Sequence, residues 1–95
     1  MYGISQNALD KIKAVLFSAQ EVEQVILYGS RAKGNYKEGS DIDLAIKGNL
    51  TFDDLTKLSA HLDDLNLPWK IDLSLYSQIK NEKLLEHIDR IGVGI

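Results

Sequence analysis

Apolar residues recur along this chain at two different periods, and the alternation between the periods divides it into elements. Ala8, Leu9, Ile12, Val15, Leu16 and Ala19 fall three and four apart, which predicts a helix over 5–20 with one buried stripe. Ser5 stands where an N-cap belongs. The run Gln24-Val25-Ile26-Leu27-Tyr28 is continuous, apolar and β-branched, and predicts a buried strand over 24–28. Arg31, Ala32 and Lys33 suit a short helix behind it. Over 41–47 the pattern alternates, with Ile42, Leu44 and Ile46 on one face and Asp41, Asp43 and Ala45 on the other.

Thr51-Phe52-Asp53-Asp54 reads as a helix start, with Thr51 as cap and acids in the first turn. Leu55, Leu58, Leu62 and Leu65 supply its stripe, and Asn66-Leu67-Pro68 ends it, since proline cannot continue a helix. A third strand is predicted over 69–76. Trp69, Ile71, Leu73 and Leu75 form its apolar face and Asp72 lies opposite. Ser77 or Asn81 caps a last helix that buries Ile79, Leu84, Leu85, Ile88 and Ile91. Gly92 stops that helix, and Val93-Gly94-Ile95 adds a short edge strand. The fold class that follows is α/β (α+β), a small mixed sheet of three to four strands with helices packed on it.

The polar residues that interrupt this pattern carry the chemistry. A strand ending in Gly29-Ser30 can turn sharply and let its backbone approach a ligand closely. A helix starting at that point aims free amides and its dipole at whatever lies above, which favours an anion. Arg31 and Lys33 are candidates to touch its phosphates; the plainer alternative for them is a solvated charge cluster. Gly39-Ser40 turns the chain into the second strand, where Asp41 and Asp43 stand two positions apart, roughly 7 Å at the backbone. Asp72 joins them if the third strand pairs beside the second. Asp is depleted in strands, and three on one face repel unless a cation sits between them. The arrangement therefore reads as a magnesium grip, built from the hard oxygens that this ion takes.

Other acids are less telling. Asp53, Asp54, Asp63 and Asp64 flank the leucine stripe of a helix and read as a solvated face. Trp69 shares parity with the core positions, and Tyr36 reads as a half-exposed loop residue. His61 and His87 lie far in sequence from other ligand-type clusters and read as surface or boundary residues.

Gly-Ser, ten residues, Asp-x-Asp and a later strand-borne Asp resemble the signature of the DNA polymerase β-like nucleotidyltransferase superfamily. The small size and the stretch Leu67-Pro68-Trp69-Lys70-Ile71-Asp72-Leu73 look like its minimal nucleotidyltransferase branch. The resemblance spans nearly the whole chain. It implies a nucleotidyltransferase that moves AMP from ATP onto an acceptor hydroxyl with release of pyrophosphate. Asp41, Asp43 and Asp72 are then the catalytic residues and the ligands of two Mg²⁺ ions, with Asp72 as proton acceptor. Gly29, Ser30, Arg31 and Lys33 bind the nucleotide. Larger relatives carry a further domain for the acceptor, which this chain is not expected to contain, so that surface comes from a second subunit, a homodimer or the acceptor itself. The minimal branch implies a small helical HEPN-type partner, modified on a tyrosine within a toxin–antitoxin pair. Transfer to a small molecule or RNA end, and a non-catalytic partner-binding module, are the alternatives.

Composition narrows the rest. The 95 residues predict one domain over 1–95. With no cysteine there is neither a disulfide framework nor a thiolate metal site. No apolar run approaches the length of a membrane span and no signal-peptide pattern is present, so a cytoplasmic protein is expected. A net charge of −3 argues against a broad nucleic-acid-binding surface.

Overall fold

The computed structural model describes residues 2–95. Its elements run α1 (Gln6–Leu16), β1 (Val22–Tyr28), α2 (Ser30–Lys33), β2 (Ile42–Gly48), α3 (Phe52–Asp63), β3 (Ile71–Leu75), α4 (Glu82–Ile91) and β4 (Val93–Gly94), with a 3-10 turn at Tyr76–Gln78. The strands form one sheet in the order β3-β2-β1-β4. β1 is antiparallel to both β2 and β4, and β2 is parallel to β3. The small mixed sheet of three to four strands expected from the strand pattern is present, with four strands. Its one parallel joint requires a crossover, and α3 supplies it.

Strand parity divides the apolar residues between two faces. Val25, Leu27, Ile42, Leu44, Ile46 and Leu75 pack against Ile12 and Leu16 of α1 and Leu58 and Leu62 of α3. Ile26, Tyr28 and Ala45 pack against Ile88 of α4 on the other face. α1 and α3 thus cover one side of the sheet, and α4 covers part of the other. Full burial of one such aliphatic side chain is worth about 1.5–3 kcal/mol, so the larger cluster dominates cohesion.

The helix starts follow the capping residues. Ser5 Oγ accepts from the Ala8 amide at 3.2 Å. Thr51 Oγ1 accepts from the Asp54 amide at 3.2 Å, and Asp54 Oδ2 accepts from the Thr51 amide at 3.0 Å, completing a capping box. Asn81, not Ser77, caps α4, accepting from the Lys83 and Leu84 amides; Ser77 lies in the 3-10 turn.

Several details differ from expectation. α1 stops at Leu16 rather than residue 20. The Ser18 hydroxyl donates to the Val15 carbonyl at 2.6 Å, and the Ala19 amide turns to Leu16 instead. A side chain competing for a helix carbonyl in this way ends the ladder. β3 starts at Ile71, two residues late, and Tyr76 leaves it for the 3-10 turn. Leu85 falls on the outer side of α4, among Glu82, Glu86, Asp89 and Arg90, and is only half-buried. Among the described residues, no helix is long and apolar enough to cross a membrane.

Candidate active site

Register brings two of the predicted residues, Asp43 and Asp72, into one row. Tyr28, the last residue of β1, pairs with Asp43 of β2, and Asp43 pairs with Asp72 of β3. The three side chains therefore share the sheet face that α4 partly covers. Neighbouring strands lie about 4.8 Å apart, so the Asp43 and Asp72 carboxylates start side by side. Asp41 differs from expectation: β2 begins at Ile42, whose amide donates to the Lys70 carbonyl at 2.8 Å, and Asp41 is an exposed residue just before the strand.

The electrostatics follow from this row. Asp43 is half-buried, and its carboxyl is pushed above the ordinary value of 3.8. Burial is the largest cause, followed by the negative charges of Asp72 and Asp41, while His87 pulls the other way. The Tyr28 hydroxyl is likewise raised, chiefly by burial. A hydrogen bond with Ser74 opposes that shift, and the Asp43 and Asp72 charges add to it. Among the described residues, the single ion pair joins Arg90 and Glu86 on the surface of α4, so no lysine or arginine neutralises the row.

Gly29 lies directly above. Its φ of +80° is a conformation that side chains rarely adopt. A Cβ built there would run into Asp43 Oδ2. Both constraints require glycine, and the second places the turn against the Asp43 carboxylate. α2 is one helical turn, closed by Lys33 N–H to Gly29 O at 3.0 Å and Gly34 N–H to Ser30 O at 2.9 Å. The amides of Ser30, Arg31 and Ala32 are the orphan donors of that turn. The Gly29 amide is not among them, because it donates to His87 Nε2 at 3.0 Å. Lys33 is exposed.

Arg31 is not the solvated charge of its plainer reading. It is 2% exposed, and its guanidinium donates to the carbonyls of Ser40 (3.1 and 2.8 Å), Tyr2 (2.9 Å) and Glu38 (3.4 Å). The Tyr36 and Trp69 rings flank it, with its central carbon 5.2 and 5.6 Å from their centroids. In this structure it clamps the loop between α2 and β2 to the N-terminal segment. Tyr36 is 37% exposed and Trp69 half-buried against the core, as their sequence readings had them.

The donor set suits Mg²⁺: carboxylate oxygens with neither sulfur nor a compensating cation. Among the described residues, no three acidic or imidazole side chains yet converge closely enough to hold an ion. Asp43 and Asp72 occupy adjacent register positions, so side-chain rotation can bring their oxygens together without moving the strands. A concavity of about 790 Å³ is lined by Gly3, Arg31, Tyr36, Glu38, Gly39, Pro68 and Trp69.

Sequence reasoning missed His87. It lies 58 positions from Gly29, and nothing local in the sequence signals the pairing. Its ring also meets Tyr28 edge-on, with centroids 6.3 Å apart.

Comparison with known proteins points the same way. The chain is 35% identical over 72 residues to "Probable protein adenylyltransferase MntA" of Haemophilus influenzae, covering 74% of this chain and 63% of that protein. It is 33% identical over 86 residues to "Putative protein adenylyltransferase MJ0128" of Methanocaldococcus jannaschii, covering 88% and 87% respectively. A shorter match, 44% identical over 41 residues, reaches "Putative protein adenylyltransferase MJ0604" of the same organism and spans 43% of this chain and 41% of that protein. The fold is shared with a solved Shewanella oneidensis complex of a tri-AMPylated HEPN toxin and an MNT antitoxin. There the TM-score is 0.69 at 21% identity, over 99% of this chain and 71% of that one. The profile of the family described as "Polymerase beta, Nucleotidyltransferase" matches residues 10–95. With the Gly29-Ser30 turn standing over a row of strand carboxylates, the chain belongs to the polymerase beta nucleotidyltransferase family.

Proposed function

We propose that this protein is a Mg²⁺-dependent adenylyltransferase that moves AMP from ATP onto a tyrosine hydroxyl of a HEPN-type partner, as the antitoxin of a toxin–antitoxin pair. The observation that carries the chemistry is the Asp43–Asp72 register pair beneath the Gly29-Ser30 turn. The protein acceptor is supported by the relatives named as protein adenylyltransferases.

The residues divide the work. The Ser30 hydroxyl and the orphan amides of Ser30, Arg31 and Ala32 bind triphosphate oxygens. Gly29 admits the close approach, and Lys33 adds positive charge from an exposed position. Asp41, Asp43 and Asp72 hold Mg²⁺. When bound, the ions offset phosphate charge and acidify the acceptor hydroxyl. Asp72, exposed at the end of the row, accepts that hydroxyl's proton. The hydroxyl oxygen attacks the α-phosphorus in line, the bond to the bridging oxygen breaks, and pyrophosphate leaves. Catalysis of this kind is mostly positioning and charge neutralisation.

Label transfer from α-³²P-ATP tests the proposal, using the purified chain, Mg²⁺ and a lysate of the source cell. A labelled protein band of HEPN type, modified on tyrosine, is the expected result. Label found only in a small molecule or RNA would overturn the protein acceptor. No label in any fraction, with ATP binding also absent, would overturn the activity.

A further inference from the structure

We infer that His87 is a positioning residue for nucleotide binding, fixing the peptide that leads into the Ser30 turn. The inference rests on Gly29-Ser30 being the triphosphate grip. Gly29 follows the last ladder pair of β1 and has a backbone conformation that glycine enters and leaves easily. The α2 turn holds the Gly29 carbonyl through Lys33 N–H at 3.0 Å. The Gly29 amide lies past the ladder, and its 3.0 Å bond to His87 Nε2 holds that side. The imidazole is itself held, edge-on to Tyr28 at 6.3 Å and carried on α4. The next residue of that helix, Ile88, is 1% exposed against Ile26, Tyr28 and Ala45. A rigid chain of contacts thus runs from the smaller core through His87 to Gly29, and so to the orientation of the amides after it. Preorganised donors do not have to be ordered when the anion arrives, which strengthens binding.

The same bond argues against His87 as the base that activates the acceptor. Its Nε2 lone pair already accepts from Gly29, so the neutral ring carries its proton on Nδ1. What the role requires is a hydrogen-bond acceptor at the Nε2 position. A glutamine presents its amide oxygen near that point, whereas the shorter asparagine does not reach it. Both amides are tolerated at a half-exposed helix position.

The test compares wild type, His87→Gln and His87→Asn in calorimetric titration with ATP and Mg²⁺, alongside amide exchange at Gly29 by NMR. His87→Gln is expected to bind ATP within about threefold of wild type and to keep the Gly29 amide protected. His87→Asn is expected to bind roughly tenfold more weakly, with faster exchange at Gly29 and an unchanged far-UV spectrum. Equal ATP affinity for all three proteins would overturn the inference, as would loss of the same size in Gln and Asn. A wild type that binds no ATP would overturn the nucleotide reading itself, and this role with it.

Discussion

Asp43 shows how position sets the energetics of a single residue. Burial and the charges of Asp72 and Asp41 raise its pKa above 3.8 in the folded chain. Between that value and the raised one, the native state binds more protons than the unfolded state, so stability falls as pH rises through the window. The penalty is absent below about pH 4 and complete above the raised value. Asp43→Asn removes it. The variant is expected to melt at or a few degrees above wild type near neutral pH and to show a flatter pH dependence in urea unfolding. It is also expected to lose nearly all nucleotidyl transfer. A variant much less stable than wild type at neutral pH would contradict this account of Asp43. Arg31 makes the opposite case. Its guanidinium satisfies three backbone carbonyls from two separate segments, and lysine cannot reproduce that fork. Arg31→Lys is expected to cost about 2 kcal/mol or more in unfolding free energy. A lowered ATP affinity with unchanged stability would instead make it a phosphate ligand.

At the scale of elements, most of the architecture was legible because each signal was local. The alternation in β2, the leucine stripe of α3 and the Ser5, Thr51 and Asn81 caps each act within a few residues. The Gly29-Ser30 and Asp41-x-Asp43 spacing was legible for the same reason. Features that depend on distant residues were not. The buried state of Arg31 depends on carbonyls from residues 2, 38 and 40. The His87–Gly29 bond depends on how α4 docks on the sheet. That docking centres on Ile88, the residue of α4 most deeply buried against β1 and β2. Ile88→Ala is expected to cost about 2–5 kcal/mol and to release α4 before the main core unfolds. Hydrogen exchange should then rise first in α4 and at Gly29. Uniform exchange across the chain would show instead that α4 is not a separately dissociable element.

At the scale of the whole molecule, the sheet separates two tasks. One face, under α1 and α3, carries the larger core. The other carries α4 and, beyond its cover, the acid row with the Gly29-Ser30 turn above it. The measurement that tests this arrangement most directly is a crystal structure of the chain with Mn²⁺ and a non-hydrolysable ATP analogue, the metal located by anomalous scattering. The account predicts metal peaks among the Asp41, Asp43 and Asp72 carboxylates, with the triphosphate on Ser30 and the amides that follow it. A nucleotide bound away from the Gly29-Ser30 turn, or metal with no contact to Asp43 and Asp72, would contradict it.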